Sequence, residues 1–114
     1  MPEPTDPEDD KLLTLARASR ARTRAPEGAA VRDLDGRTYA AASVALAHLD
    51  LPALALAVAM AVSSGARGQE AAAVCTDADH VEAADLDVVR DLGGAGVPVW
   101  LADSSGTARS TTST

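Results

Sequence analysis

Few side chains in this 114-residue sequence are able to do chemistry. There are two histidines, His48 and His80, and one cysteine, Cys75. His80-Val81-Glu82 puts an imidazole two residues from a carboxylate, and Asp77, Asp79 and Asp85 lie close by in the chain. Such a set could offer oxygen ligands to Mg²⁺ or Ca²⁺. The reading adopted is plainer: acidic residues cap and start a helix, where the dipole favours them. His48 and Asp50 could form an acid/base pair; here they are read as a loop entering a helix. Cys75 could act as a nucleophile beside a histidine. It sits in the apolar run AAAVCT, where a thiol is expected to be buried and inert. Gly93-Gly94-Ala95-Gly96 follows a helical pattern and precedes a strand pattern. A phosphate cradle needs the opposite order, so these glycines read as a helix stop and turn. A single cysteine excludes an internal disulfide and any multi-cysteine metal site.

The elements that must position these groups are legible in the apolar pattern. Leu49 to Gly65, LDLPALALAVAMAVSSG, is apolar on every side, which predicts a helix buried on every side. Asp50 is its expected N-cap, Pro52 falls in the first turn, and Ser63-Ser64-Gly65 ends it. Before it, PEDDKLLTLARASRART has acids at its start and arginines at its end, a polarity matched to the helix dipole. Leu12, Leu15, Ala16 and Ser19 form its expected inward stripe. The arginine cluster at its end could be a nucleic-acid patch; a solvated helix end is the reading adopted. GAAV at 28–31 and RTYAAASV at 37–44 read as strands of a hairpin turned at Asp35-Gly36. AAAVCT at 71–76 is a buried strand, and 81–92 an amphipathic helix with Leu86, Val89 and Leu92 inward. VPVWLA at 97–102 is the last strand, with Pro98 at an edge or at its first residues. Residues 1–7 read as a flexible lead-in, 8–103 as one domain, and the Ser/Thr-rich 104–114 as a disordered tail. The order α-β-β-α-β-α-β closes with a parallel crossover and predicts a mixed sheet with helices packed on it.

Composition narrows the function. The net charge of −7 disfavours nucleic acid and anionic membranes. The apolar run is shorter than the ~20 residues of a membrane span, and the acidic start MPEPTDPEDD is unlike a secretion signal. A cytoplasmic protein is expected. With no Phe, one Tyr and one Trp, the core must be built from Ala, Val and Leu. Small side chains bury little area each, so self-association would add burial that one chain lacks.

GAAVRDLDGRTYAAASV followed by a buried helix ending in SSG resembles the cytidine deaminase family. The likeness runs from about Asp10 to Asp103, and it lies in the scaffold motifs. It implies a three-layer α/β/α sandwich with a mixed sheet, usually a dimer or tetramer. A zinc deaminase holds its metal with Cys or His plus two further Cys, and a Glu moves the proton. The family's Cys-Ala-Glu or His-Ala-Glu corresponds here to Pro52-Ala53-Leu54. Its Pro-Cys-x-x-Cys falls at Val81-Glu82-Ala83-Ala84-Asp85. Its ribose-binding Asn-x-Glu corresponds to Ser43-Val44-Ala45, and the aromatic stretch before GAAV to Arg22 through Glu27. Pro52, Leu54, Glu82 and Asp85 therefore stand at former zinc and catalytic positions, and Ser43 and Ala45 at former ribose contacts. None is the residue the chemistry needs. His80-Val81-Glu82 imitates the signature without the cysteine pair downstream. More narrowly, the chain resembles actinobacterial members that lack the catalytic motifs.

The resulting expectation is a non-catalytic oligomeric scaffold or interaction module, a homodimer or tetramer with no cofactor and no metal. The alternatives are a divergent deaminase-type hydrolase and a small-ligand binder using the former pocket.

Overall fold

The computed structural model describes Pro4 and residues 6–114. Helix α1 spans Pro7–Thr23, β1 Glu27–Asp33, β2 Thr38–Ala42, β3 Val44–Ala45, β4 Asp50–Leu51, α2 Ala53–Ser63, β5 Gln69–Thr76, α3 Ala83–Gly93, β6 Pro98–Ala102 and β7 Ala108–Ser113. Five strands form one sheet in the order β2-β1-β5-β6-β7, and β3 and β4 form a separate two-stranded ribbon. Among the described residues only the β5–β6 pair is parallel, bridged by α3 as the crossover pattern predicts. Its neighbours on both sides are antiparallel.

Strand alternation divides the core. Ala30, Ala71, Ala73, Cys75, Trp100 and Ala102 face α1, which brings Leu12, Leu13 and Ala16. Ala29, Val31, Ala72, Val74 and Val99 face α2 and α3, which bring Leu54, Ala57, Val58 and Val89. The result is the expected three-layer α/β/α sandwich. The stripe of α1 differs in one place: Leu13 is buried, whereas Leu15 is only half-buried.

Small residues let the layers approach. A Cβ on Gly28 would lie 2.0 Å from the carbonyl oxygen of Ala16, so α1 rests directly on β1 there. A buried polar link fastens the same helix. Asp9 accepts from Arg32 Nη2 at 2.8 Å and from Trp100 Nε1 at 3.1 Å, while Arg32 Nε reaches Glu70 at 2.6 Å.

Five expectations need correction. The Ser/Thr-rich tail is not disordered over its length: Ala108–Ser113 is β7, paired antiparallel with β6 from Pro98↔Ser113 to Ala102↔Ala108. Its Thr residues are β-branched, and pairing satisfies a backbone that its sequence leaves uncommitted. Helix α2 is not buried on every side. Ala53, Leu54, Ala57, Val58 and Ala61 are buried, but Met60 is 38% and Val62 53% exposed, because the sheet and α3 cover only one side. Its N-cap is Pro52 rather than Asp50, which is drawn into β4 instead. The acids do not cap α3 either, since Glu82 is its N-cap without a side-chain hydrogen bond. Of the lead-in at 1–7, residues 1–3 and 5 lie outside the described residues. Asp6 and Pro7 belong to the start of α1, where the Asp6 carboxylate accepts from Glu8 N–H. Pro98 is the first residue of β6, an interior strand.

Candidate functional site

The start of β1, the end of β5 and the end of β2 lie side by side. Glu27 is opposite Thr76 across the β1–β5 ladder. Ser43 follows β2; its N–H donates to the Glu27 carbonyl at 3.1 Å, and its hydroxyl accepts from the Glu27 N–H at 3.3 Å. The β3–β4 ribbon pairs Val44 with Leu51, which carries the chain back and sets the N-terminus of α2 beside these strand ends. The loop after β5 brings the N-terminus of α3 to the same end of the sheet.

Asp85 is the chemically distinctive group here. It lies in the first turn of α3, is 6% exposed, and has no side-chain hydrogen-bond partner among the described residues. Burial pushes its carboxyl up to about 6, and the negative charges of Glu27 and Glu82 add to the rise. Leu54, in the first turn of α2, is fully buried in the core beneath. Ser43, Leu54, Glu82 and Asp85 thus stand around one end of the sheet. Pro52 is exposed at the entrance to α2, and Ala45 is exposed on the ribbon. Glu27 was not among the sequence candidates. The period-2 signal could have found it, because it shares the face of Ala29 and Val31.

The other candidates separate. His48 and Asp50 are exposed around the turn of the ribbon and form no ion pair with each other. Cys75 is buried on the α1 face; its thiol donates to the Asp103 carbonyl at 3.0 Å, with Arg20 Nη1 3.9 Å away. Asp77 turns to Arg20 at 3.0 Å. Asp79 holds His80 Nδ1 at 2.8 Å, and Glu82 lies 3.7 Å from Nε2. Hydrogen bonding to Asp79 and the charges of Glu82 and Asp79 raise the His80 pKa above its usual value. Asp77 thus turns to Arg20, while Asp79 and Glu82 flank the exposed His80. Among the described residues, no group of three or more His, Cys, Asp or Glu is placed to hold a metal ion.

Zinc does not fit the side chains at this site. Pro52 and Leu54 have no donor atom, and Asp85 is one carboxylate where thiolates or imidazoles would suit zinc best. A carboxyl titrating near pH 6 could exchange a proton with a bound molecule.

Two helix N-termini thus meet at the strand ends of a mixed sheet within an α/β/α sandwich. The cytidine deaminase-like family profile matches residues 5–106, and the chain belongs to that family. Among solved structures, a cytidine deaminase from Burkholderia pseudomallei is 26% identical with a TM-score of 0.78, covering 90% of each chain. One from Mycobacterium leprae is 19% identical, with a TM-score of 0.70 over 91% of each chain. A mutant enzyme from Mycobacterium tuberculosis is 22% identical, with a TM-score of 0.68 over 79% of this chain and 82% of that one. The last two likenesses are of fold. No curated protein matches the chain by sequence. Among the described residues, no helix is long and apolar enough to cross a membrane.

Proposed function

We propose that this chain is a non-catalytic member of the cytidine deaminase-like family, acting in the cytoplasm as a self-associating scaffold or interaction module. One observation carries the reading: the first turns of α2 and α3 present Leu54, fully buried, and Asp85, 6% exposed, where deamination would need thiolate or imidazole ligands and a proton-shuttling glutamate. Attack on a cytosine ring at neutral pH needs hydroxide, which zinc supplies by lowering the pKa of bound water to about 7. The apolar outer side of α2 supports the self-associating part of the reading. Elemental analysis of the purified protein together with a cytidine-to-uridine assay tests it. The expected result is no stoichiometric zinc and no turnover. Stoichiometric zinc with chelator-sensitive turnover overturns it in favour of a divergent deaminase.

The unpaired Asp85 favours a second reading, a binder of small cationic molecules at the same strand ends. A thermal-shift screen with nucleosides and small amines separates the two, because a ligand bound only by the folded state raises the melting temperature.

A further inference from the structure

Charge is unevenly spread along the chain. Residues 11–26 hold Lys11, Arg17, Arg20, Arg22 and Arg24, half of the ten cationic side chains, and no Asp or Glu. Arg17, Arg22 and Arg24 are exposed, and none of them forms an ion pair among the described residues. Two hydroxyls stand between these arginines. Ser19 is 1% exposed and faces the core, whereas Thr23, the last residue of α1, is open to solvent. The Thr23 hydroxyl donates to the Ser19 carbonyl at 2.8 Å and so ties down the last turn. That turn ends under strain. Arg24 has φ 56°, the one positive φ outside glycine among the described residues.

An exposed threonine flanked by arginines suits a protein kinase whose substrate cleft is lined by carboxylates, because the two potentials are complementary. In the transfer, a bond forms between Thr23 Oγ1 and the γ-phosphorus of ATP as the bond from that phosphorus to its bridging oxygen breaks. ADP leaves, and the hydroxyl proton passes to the kinase's base.

The product has a defined partner. A phosphorylated Thr23 no longer donates to Ser19, and its charge of about −2 meets the negative end of the α1 dipole. Arg20 lies three residues back, where side chains of a helix are neighbours. Its guanidinium already reaches toward the helix end: Nε is 3.4 Å from the Ala25 carbonyl, while Nη2 holds Asp77 at 3.0 Å. Asp77 opens the loop between β5 and α3, and its side chain is 80% exposed. A phosphate dianion outcompetes one solvated carboxylate for a guanidinium.

We infer that Thr23 is a phosphorylation site for an arginine-directed protein kinase, and that its phosphate draws Arg20 from Asp77 and frees the start of the β5–α3 loop. The inference is independent of whether the chain deaminates or self-associates.

The full chain, incubated with ATP and an arginine-directed kinase, is followed by mass spectrometry and hydrogen exchange. One phosphate is expected on Thr23, and none on the Thr23→Ala variant. Amide exchange of residues 77–82 should then quicken severalfold, while the buried middle of β5 keeps its protection. Thr23→Glu should quicken the same amides by a smaller factor without any kinase. Arg20→Gln should show the quickened loop already, and adding Thr23→Glu to it should change nothing more. Circular dichroism of each variant verifies folding. A Thr23 left unmodified, or phosphate found only on the hydroxyls of β7, overturns the site. Phosphate on Thr23 that leaves residues 77–82 as protected as in the parent overturns the exchange of partners.

Discussion

Asp85 couples the site to stability. Its carboxyl prefers the neutral form in the folded chain, with a pKa of about 6 against an ordinary 3.8. A raised carboxyl pKa stabilises the fold at low pH and costs stability as pH rises through the folded value. The cost begins near pH 4 and is complete just above pH 6, reaching about 1–3 kcal/mol. Asp85→Asn removes the titration, so its melting temperature should exceed the parent's at pH 7.5, by a clearly smaller margin at pH 4.5. Equal differences at both pH values would show that the carboxyl is already solvated. Leu54 gives the complementary experiment. Leu54→Glu places a second carboxyl in the core and should cost several kcal/mol. Its melting temperature should fall further below the parent's at pH 8 than at pH 5. A variant that melts like the parent would mean that the side chain escapes to solvent.

At the scale of elements, close approach replaces bulk. With almost no aromatic residues, the layers are held by alanine contacts and by the Asp9–Arg32–Trp100 link. Gly28 marks the tightest point, where an added Cβ would meet the Ala16 carbonyl at 2.0 Å and Arg20 N at 2.8 Å. Both are backbone atoms and cannot rotate away. Gly28→Val should therefore force α1 off the sheet and cost about 1–3 kcal/mol. Because Trp100 donates to Asp9 of α1, a lifted helix should also shift its fluorescence. A change in melting temperature without a change in fluorescence would place the strain elsewhere.

For the whole molecule, β7 decides where the sheet ends. It covers β6, whose Val99, Trp100, Leu101 and Ala102 are buried. Truncation after Thr107 would leave that apolar strand as an open edge, a template for pairing with other chains. The truncated protein should melt lower and form larger species in sedimentation than the full chain. If residues 108–114 could be removed without effect on either measurement, the strand would be ornamental.

Local chemistry in the sequence determined most of the architecture. Asp35-Gly36 announced a hairpin turn, and Gly36 has φ 84°, a conformation that favours glycine. The acids and arginines of α1 marked its ends, the alternation of helix and strand after residue 69 announced the parallel crossover, and the motif residues identified the family. The sequence also shows that the first turns of the two helices carry no cysteine. Tertiary structure decided what depends on distant partners. The Ser/Thr-rich end became β7 because β6 offers it hydrogen bonds, and no local pattern in a polar segment reveals that. Helix α2 is apolar on every side, yet its periodicity does not say which side the sheet will cover. Glu27 and Asp85 lie 58 residues apart in the chain, and the charge of one acts on the other only once the layers are packed. A pKa depends on what surrounds a group in space, so the raised carboxyl was invisible until the layers were packed.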